Sequence, residues 1–202
     1  MRQQGARFDD ARAAGEEFAA EHAMLFIDSA NEPQLIAGVA TAALEVLESQ
    51  QPETDLVLVP VGAGSGVCGW LTVRDGLGHS AELWGVQSAQ APAAYESWRA
   101  RELLERDNET MAEGLATGSA FELTQRIMWR SLDDFLLVDD ERIGDAVVTL
   151  LESQHLLVEP AGAATLAAAI EARERLRGRR VVLALSGANI TRAQRGELLD
   201  QR

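Results

Sequence analysis

The stretch from Asp55 to Gly69 reads DLVLVPVGAGSGVCG, and the rest of the chain is organised around it. Leu56, Val57, Leu58, Val59 and Val61 form a short, nearly unbroken apolar run. A β-branched run of this kind, stopped by glycine, suits a parallel strand buried on both faces. Gly62, Gly64, Gly66 and Gly69 follow at once. Glycine permits a tight turn and lets backbone N–H groups approach an anion with no Cβ in the way. Val67 to Leu77 can begin a helix, whose N-terminus carries a partial positive charge. Strand, glycine loop and helix N-terminus together make a phosphate cradle. The plainer reading is a strand-to-helix turn that holds no ligand.

Working outward, apolar periodicity predicts helices over Phe8–Ala19 and Gln34–Gln50, and a short strand over Met24–Ile27. Gln50 to Thr54, containing Pro52, breaks the second helix. Beyond the glycine loop come a strand (Ala81–Gln87), a helix (Ala91–Arg106), a loop (Asp107–Gly118) and a helix (Phe121–Leu132). A strand (Asp134–Val138), a helix (Glu141–His155) and a helix starting at Pro160 and running to Leu176 follow. Val181–Leu185 is another unbroken apolar strand, and Ser186, Gly187 and Asn189 turn it into a last short helix. Helix and strand alternate, so the expected class is α/β, three layers with helices on both faces of a mainly parallel sheet. No linker divides the chain, which is expected to be a single α/β domain over residues 1–202. Ligands of such sheets sit outside the carboxyl ends of the strands. Gly62–Gly66 and Ser186–Asn189 both lie there.

The net charge of -14 argues against nucleic acid, whose phosphates would be repelled. A lone cysteine, Cys68, allows no internal disulfide and fits a reducing compartment. Met1–Ala20 lacks the apolar segment of a secretory signal, and no run is long enough to span a bilayer. The expected location is the cytoplasm. All 18 basic residues are arginine and none is lysine. A P-loop, which needs its lysine, is excluded. Gly64, Gly66 and Gly69 satisfy the dinucleotide pattern G-x-G-x-x-G, but the next strand ends in Gln87, not in the acid that would bind ribose hydroxyls. A nucleotide-binding α/β domain stays open as an alternative.

The segment VPVGAGSG, Val59 to Gly66, resembles the phosphate loop of the fold-type II pyridoxal-phosphate enzymes, within the threonine/serine dehydratase group of the tryptophan synthase beta-like superfamily. The resemblance continues in order. Asn31–Thr41 is similar to the segment before the glycine strand, and Leu83–Ser97 to the strand and helix after it. Thr110–Ala116 resembles the T-x-A-D-G loop, and Val158–Ala164 and Leu185–Asn189 the two late motifs. These matches cover about Phe8 to Thr191 and correspond to the second half of such an enzyme. The resemblance implies that the lysine-bearing first half lies upstream, as in a gene fragment, a split gene or a truncated chain.

The resemblance implies pyridoxal 5'-phosphate as cofactor. Gly62, Ala63, Gly64, Ser65 and Gly66 would donate to its phosphate. Ser186 would face the pyridine nitrogen, although the sequence alone reads it as a helix cap. Glu159 would lie near the ring, or else stabilise a helix dipole. Glu113, Gly114 and Asn189 would be pocket wall. No catalytic residue is assigned, because the Schiff-base lysine is absent. No metal site is carried over, because Gln87 and Ala93 stand where some relatives have acids. His22, His79 and His155 are expected at the surface, Cys68 and the tryptophans in the core, and Arg173–Arg180 as a solvated helix end. The implied activity is conversion of L-threonine or L-serine to a 2-oxo acid and ammonia, by a homo-oligomeric full enzyme. This chain alone is expected to be inactive, and the alternative is a non-catalytic or partner-complementing half.

Overall fold

The computed structural model describes residues 4–49 and 53–200. Gln50 and Pro52, read as the break after the second helix, lie outside the described residues. The strands are β1 (Leu56–Pro60), β2 (Glu82–Ser88), β3 (Asp134–Val138) and β4 (Val181–Leu183). All pair in parallel, in the order β3-β2-β1-β4, with Leu58 opposite both Trp84 and Leu183. The helices are α1 (Phe8–Glu21), α2 (Pro33–Ser49), α3 (Ser65–Leu77), α4 (Ala93–Ala100), α5 (Glu122–Ser131), α6 (Asp140–Gln154), α7 (Pro160–Glu171), α8 (Arg173–Leu176) and α9 (Arg192–Asp200).

β1 is apolar throughout because both of its faces are covered. Leu56 and Leu58 join Trp84, Val86 and Val138 in a core closed by α6 and α7. Val57, Val59 and Val61 join Leu83 and Phe135 in a second core closed by α2, α3, α4 and α5. Side chains alternate across a strand, so one continuous run feeds two cores. The class is the expected one: helices on both faces of a parallel sheet.

Several local expectations change, among them the helix expected from Pro160 to Leu176, which breaks at Ala172 into α7 and α8. Met24–Ile27 joins no sheet, and Met24, Leu25 and Ile27 are 60%, 86% and 61% exposed. Apolar alternation cannot make a strand that finds no neighbour. The helix expected to reach Arg106 ends at Ala100, where Arg101 turns left-handed with φ 58°. The arginine run is anchored rather than merely solvated. Arg175 stacks on Trp84, 4.0 Å from the ring centroid, and Arg179 pairs with Glu82 at 3.0 Å. Arg180 pairs with Asp55 through both carboxylate oxygens at 2.9 and 2.6 Å. Among the described residues no helix is long and apolar enough to cross a membrane.

Candidate cofactor site

β1 ends at Pro60, and Val61 donates its N–H to Val86 of β2 at 2.8 Å, carrying the chain to the strand's carboxyl end. There the glycine loop reverses it. Gly64 takes φ 96°, a left-handed value that side chains resist, and α3 starts at Ser65. The helix therefore begins inside the glycine loop, two residues before the predicted start. Its first bond back runs from Cys68 N–H to Gly64 at 3.0 Å. The N–H groups of Ser65, Gly66 and Val67 precede that bond and have no helical acceptor. They form the positive end of α3.

Three further segments close on this loop. A Cβ on Gly62 would run into the carbonyl oxygen of Gly114, in the 3-10 turn Glu113–Leu115. A Cβ on Gly114 would lie 2.8 Å from that of Ala161, in the first turn of α7. One on Gly162 would lie 3.2 Å from Ser186 N, beyond β4. Glu159 stands at the N-cap position of α7 without a side-chain capping bond, donates its N–H to Gly187 at 3.0 Å, and lays its carboxylate against Gly187. Gly62, Gly114, Glu159 and Ser186 are thus linked through Ala161, Gly162 and Gly187. Asn189 lies further along the loop of Ser186, exposed. Glu113 is exposed and accepts from the Gln194 amide of α9 at 3.1 Å.

Sequence reasoning missed two supports. Thr124, fully buried on α5, donates to the Ala63 carbonyl at 2.8 Å. Asp140 accepts from Ser88 Oγ at 2.6 Å, Thr110 Oγ1 at 2.7 Å and Met111 N–H at 2.7 Å, tying the Gly114 segment to the end of β2. No local pattern marks either residue. Gln87 is fully buried, and its Oε1 accepts the Tyr95 N–H at 3.0 Å. Cys68 is buried in the apolar layer under the loop, which pushes its thiol up to about 12.

A groove of about 560 Å3 opens at this end of the sheet. Val39 and Val46 of α2 and Trp70 of α3 form one side, and Val182 to Ser186 the other. Gly66 and Ser186 both line it. A Cβ on Gly66 would meet no atom within 4 Å.

Comparison with known proteins assigns the class. Residues 1–187 match the family model of pyridoxal-phosphate-dependent enzymes. The chain is 36% identical over 188 residues to the L-threonine ammonia-lyase of Geobacter sulfurreducens, covering 92% of this chain and 46% of that enzyme. The corresponding enzyme of Thermotoga maritima is 31% identical over 189 residues, covering 93% of this chain and 46% of its own. Among solved structures, the T.th. threonine deaminase superposes with a TM-score of 0.82 at 31% identity, over 89% of this chain and 62% of that one. The processed threonine deaminase isoform 2 of Solanum lycopersicum shares the fold, with a TM-score of 0.89 at 22% identity, over 97% of this chain and 58% of that one. The chain belongs to the pyridoxal-phosphate-dependent enzyme family, with the tryptophan synthase beta-like fold. It spans about half the length of the curated relatives it matches.

The residues present fit the phosphate of that cofactor. Among the described residues the first-turn donors of α3 have no acceptor, the space over Gly66 is open, and no acidic side chain lines the groove.

Proposed function

We propose that this chain, as one α/β domain over residues 1–202, is the phosphate-binding half of a pyridoxal-phosphate-dependent ammonia-lyase acting on L-threonine or L-serine. A separate half supplies the lysine. The observation that carries this reading is that Gly66, in the first turn of α3, and Ser186, three residues beyond β4, line one groove. The family and the ammonia-lyase relatives support it.

Gly62, Ala63, Gly64, Ser65 and Gly66 hold the phosphate through backbone N–H groups, with the positive end of α3 behind them. The Ser186 hydroxyl would partner the pyridine nitrogen of the bound cofactor, where a carboxylate would hold a proton on it. Glu159 bonds to Gly187, the residue after Ser186, and would orient that loop. Glu113, Gly114 and Asn189 wall the pocket. When bound, the cofactor would supply an electron-withdrawing ring for chemistry at the substrate α-carbon. The covalent link needs a primary amine. No side chain here has one, because the sequence contains no lysine. The complete enzyme works in the cytoplasm as a homo-oligomer.

Absorbance titration with pyridoxal phosphate, beside one with NAD, tests the cofactor. Saturable binding of the first alone is expected. Borohydride treatment should leave no adduct on any internal residue, and the chain alone should form no 2-oxobutyrate from L-threonine. Turnover by the unaccompanied chain would sink the half-enzyme reading. Saturable NAD binding in place of the cofactor would sink the cofactor reading.

A further inference from the structure

α9 is short and mostly polar, and it lies beyond residues 1–187, which match the family model. It is nonetheless firmly attached, and both attachments reach the segment that walls the pocket. Thr191 and Gln194 form a reciprocal cap at its start. The Thr191 N–H donates to Gln194 Oε1 at 2.9 Å, and the Gln194 N–H donates to Thr191 Oγ1 at 3.2 Å. The cap uses only the oxygen of the Gln194 amide and fixes the direction of the rest. Its Nε2 donates to the Glu113 carboxylate at 3.1 Å. One turn later Leu198 is buried. A Cβ on Gly144 of α6 would lie 3.0 Å from Leu198 Cδ2 and 3.4 Å from Met111 Cε, so Leu198 and Met111 meet α6 at one point.

The segment from Thr110 to Leu115 is thus held from outside at Met111 and at Glu113. Its amino end is fixed by Asp140, one turn before Gly144 on α6, which accepts from Thr110 Oγ1 and Met111 N–H, both at 2.7 Å. Leu115 N–H returns to the Ala112 carbonyl at 2.7 Å, closing Ala112–Leu115 into one tight turn. The Gly114 carbonyl, one residue after Glu113, abuts Gly62 of the glycine loop. A displacement of Glu113 is therefore passed to the phosphate loop across a single peptide and one contact.

We infer that Gln194 is a positioning residue for the cofactor site: through Glu113, α9 holds the Gly114 turn against the glycine loop and so sets the affinity for pyridoxal phosphate without touching it. The inference rests on the cofactor reading above. Hydrogen bonds to charged groups are the stronger ones, and the cap has already ordered the amide that makes this one. A purely structural bond would fasten α9 and leave affinity alone.

The test pairs absorbance titration with pyridoxal phosphate with amide exchange of the cofactor-free chain, followed by NMR at Leu115. Gln194→Glu removes the donor and sets a second carboxylate beside Glu113. Affinity should fall about fivefold, and Leu115 should exchange about fivefold faster. Gln194→Arg loses the capping acceptor but keeps a donor for Glu113, so neither reading should worsen. Ala193→Glu adds the same charge at the exposed neighbouring position and should change neither. Unaltered affinity and Leu115 exchange in Gln194→Glu would overturn the inference and leave the cofactor reading standing. So would equal losses in Gln194→Arg, which would assign the effect to the cap, or in Ala193→Glu, which would assign it to charge alone. Absence of saturable binding by the unaltered chain would overturn the cofactor reading and this inference with it.

Discussion

Thr124 donates its hydroxyl to the carbonyl oxygen of Ala63 at 2.8 Å, joining positions 61 residues apart. Its Cβ would lie 2.9 Å from a Cβ placed on Gly64. One buried side chain therefore braces the glycine loop by hydrogen bond and by contact. Thr124→Val keeps the shape and removes the bond. It should cost about 1–2 kcal/mol in urea unfolding. It should also weaken pyridoxal-phosphate binding severalfold in an absorbance titration. Thr124→Ser should recover most of the binding, which simple loss of packing would not allow.

Gly62 and Gly66 should part company under the same substitution. A Cβ at position 62 collides with the Gly114 carbonyl oxygen, whereas one at position 66 meets nothing within 4 Å. Gly62→Ala should destabilise the fold by about 1–3 kcal/mol. Gly66→Ala sits in the first turn of α3 and should leave stability unchanged or raise it by up to about 1 kcal/mol. It should nonetheless lower cofactor affinity, because its methyl enters the groove. Gly64→Val, forced to φ 96°, should lose both stability and binding. Thermal melts paired with titrations separate the three cases.

Acid should attack the Arg180–Asp55 pair at the amino ends of β1 and β4. Hydrogen bonds from the Arg180 guanidinium and backbone hold the Asp55 carboxyl well below its ordinary value of 3.8. Asp28 is also lowered. Burial raises it, but hydrogen bonds from Ala30, Arg12 and Asn31 outweigh that. A depressed carboxylate stabilises the fold above its unfolded pKa and loses that contribution as pH falls toward its folded value. The loss should begin below about pH 4. Arg180→Ala should move the acid-unfolding midpoint, followed by circular dichroism, to higher pH. An unmoved midpoint would remove this pair from the account of acid stability.

The thiol of Cys68 should be silent in the folded chain. It is buried, and burial pushes its pKa up to about 12. Thiolate is the reactive form. A disulfide reagent at about pH 8, near the pKa of a free thiol, should titrate no thiol in the native protein and one in denaturant.

Much of the fold was legible from residue order. The apolar run of β1, the glycine loop, the helix that follows it and the alternation of helix and strand all depend on near neighbours. The candidate site was legible in part. Gly62–Gly66, Ser186, Glu159 and Gly114 lie together. Glu113, beside Gly114, accepts from the Gln194 amide. The Met24–Ile27 expectation failed because a strand requires a partner, and alternation alone cannot report one.

The sequence by itself determined the strand, glycine loop and helix over residues 56–77, the α/β class and the absence of any lysine amine. Each follows from residue identity or from spacing within a turn or two of chain. The tertiary structure alone decided that Thr124 braces Ala63, that Asp140 ties Ser88 to Thr110, and that Gln194 reaches Glu113. These side-chain supports join residues dozens of positions apart. Hydrogen bonds and strand pairing act through space, so no local period in the chain encodes their partners.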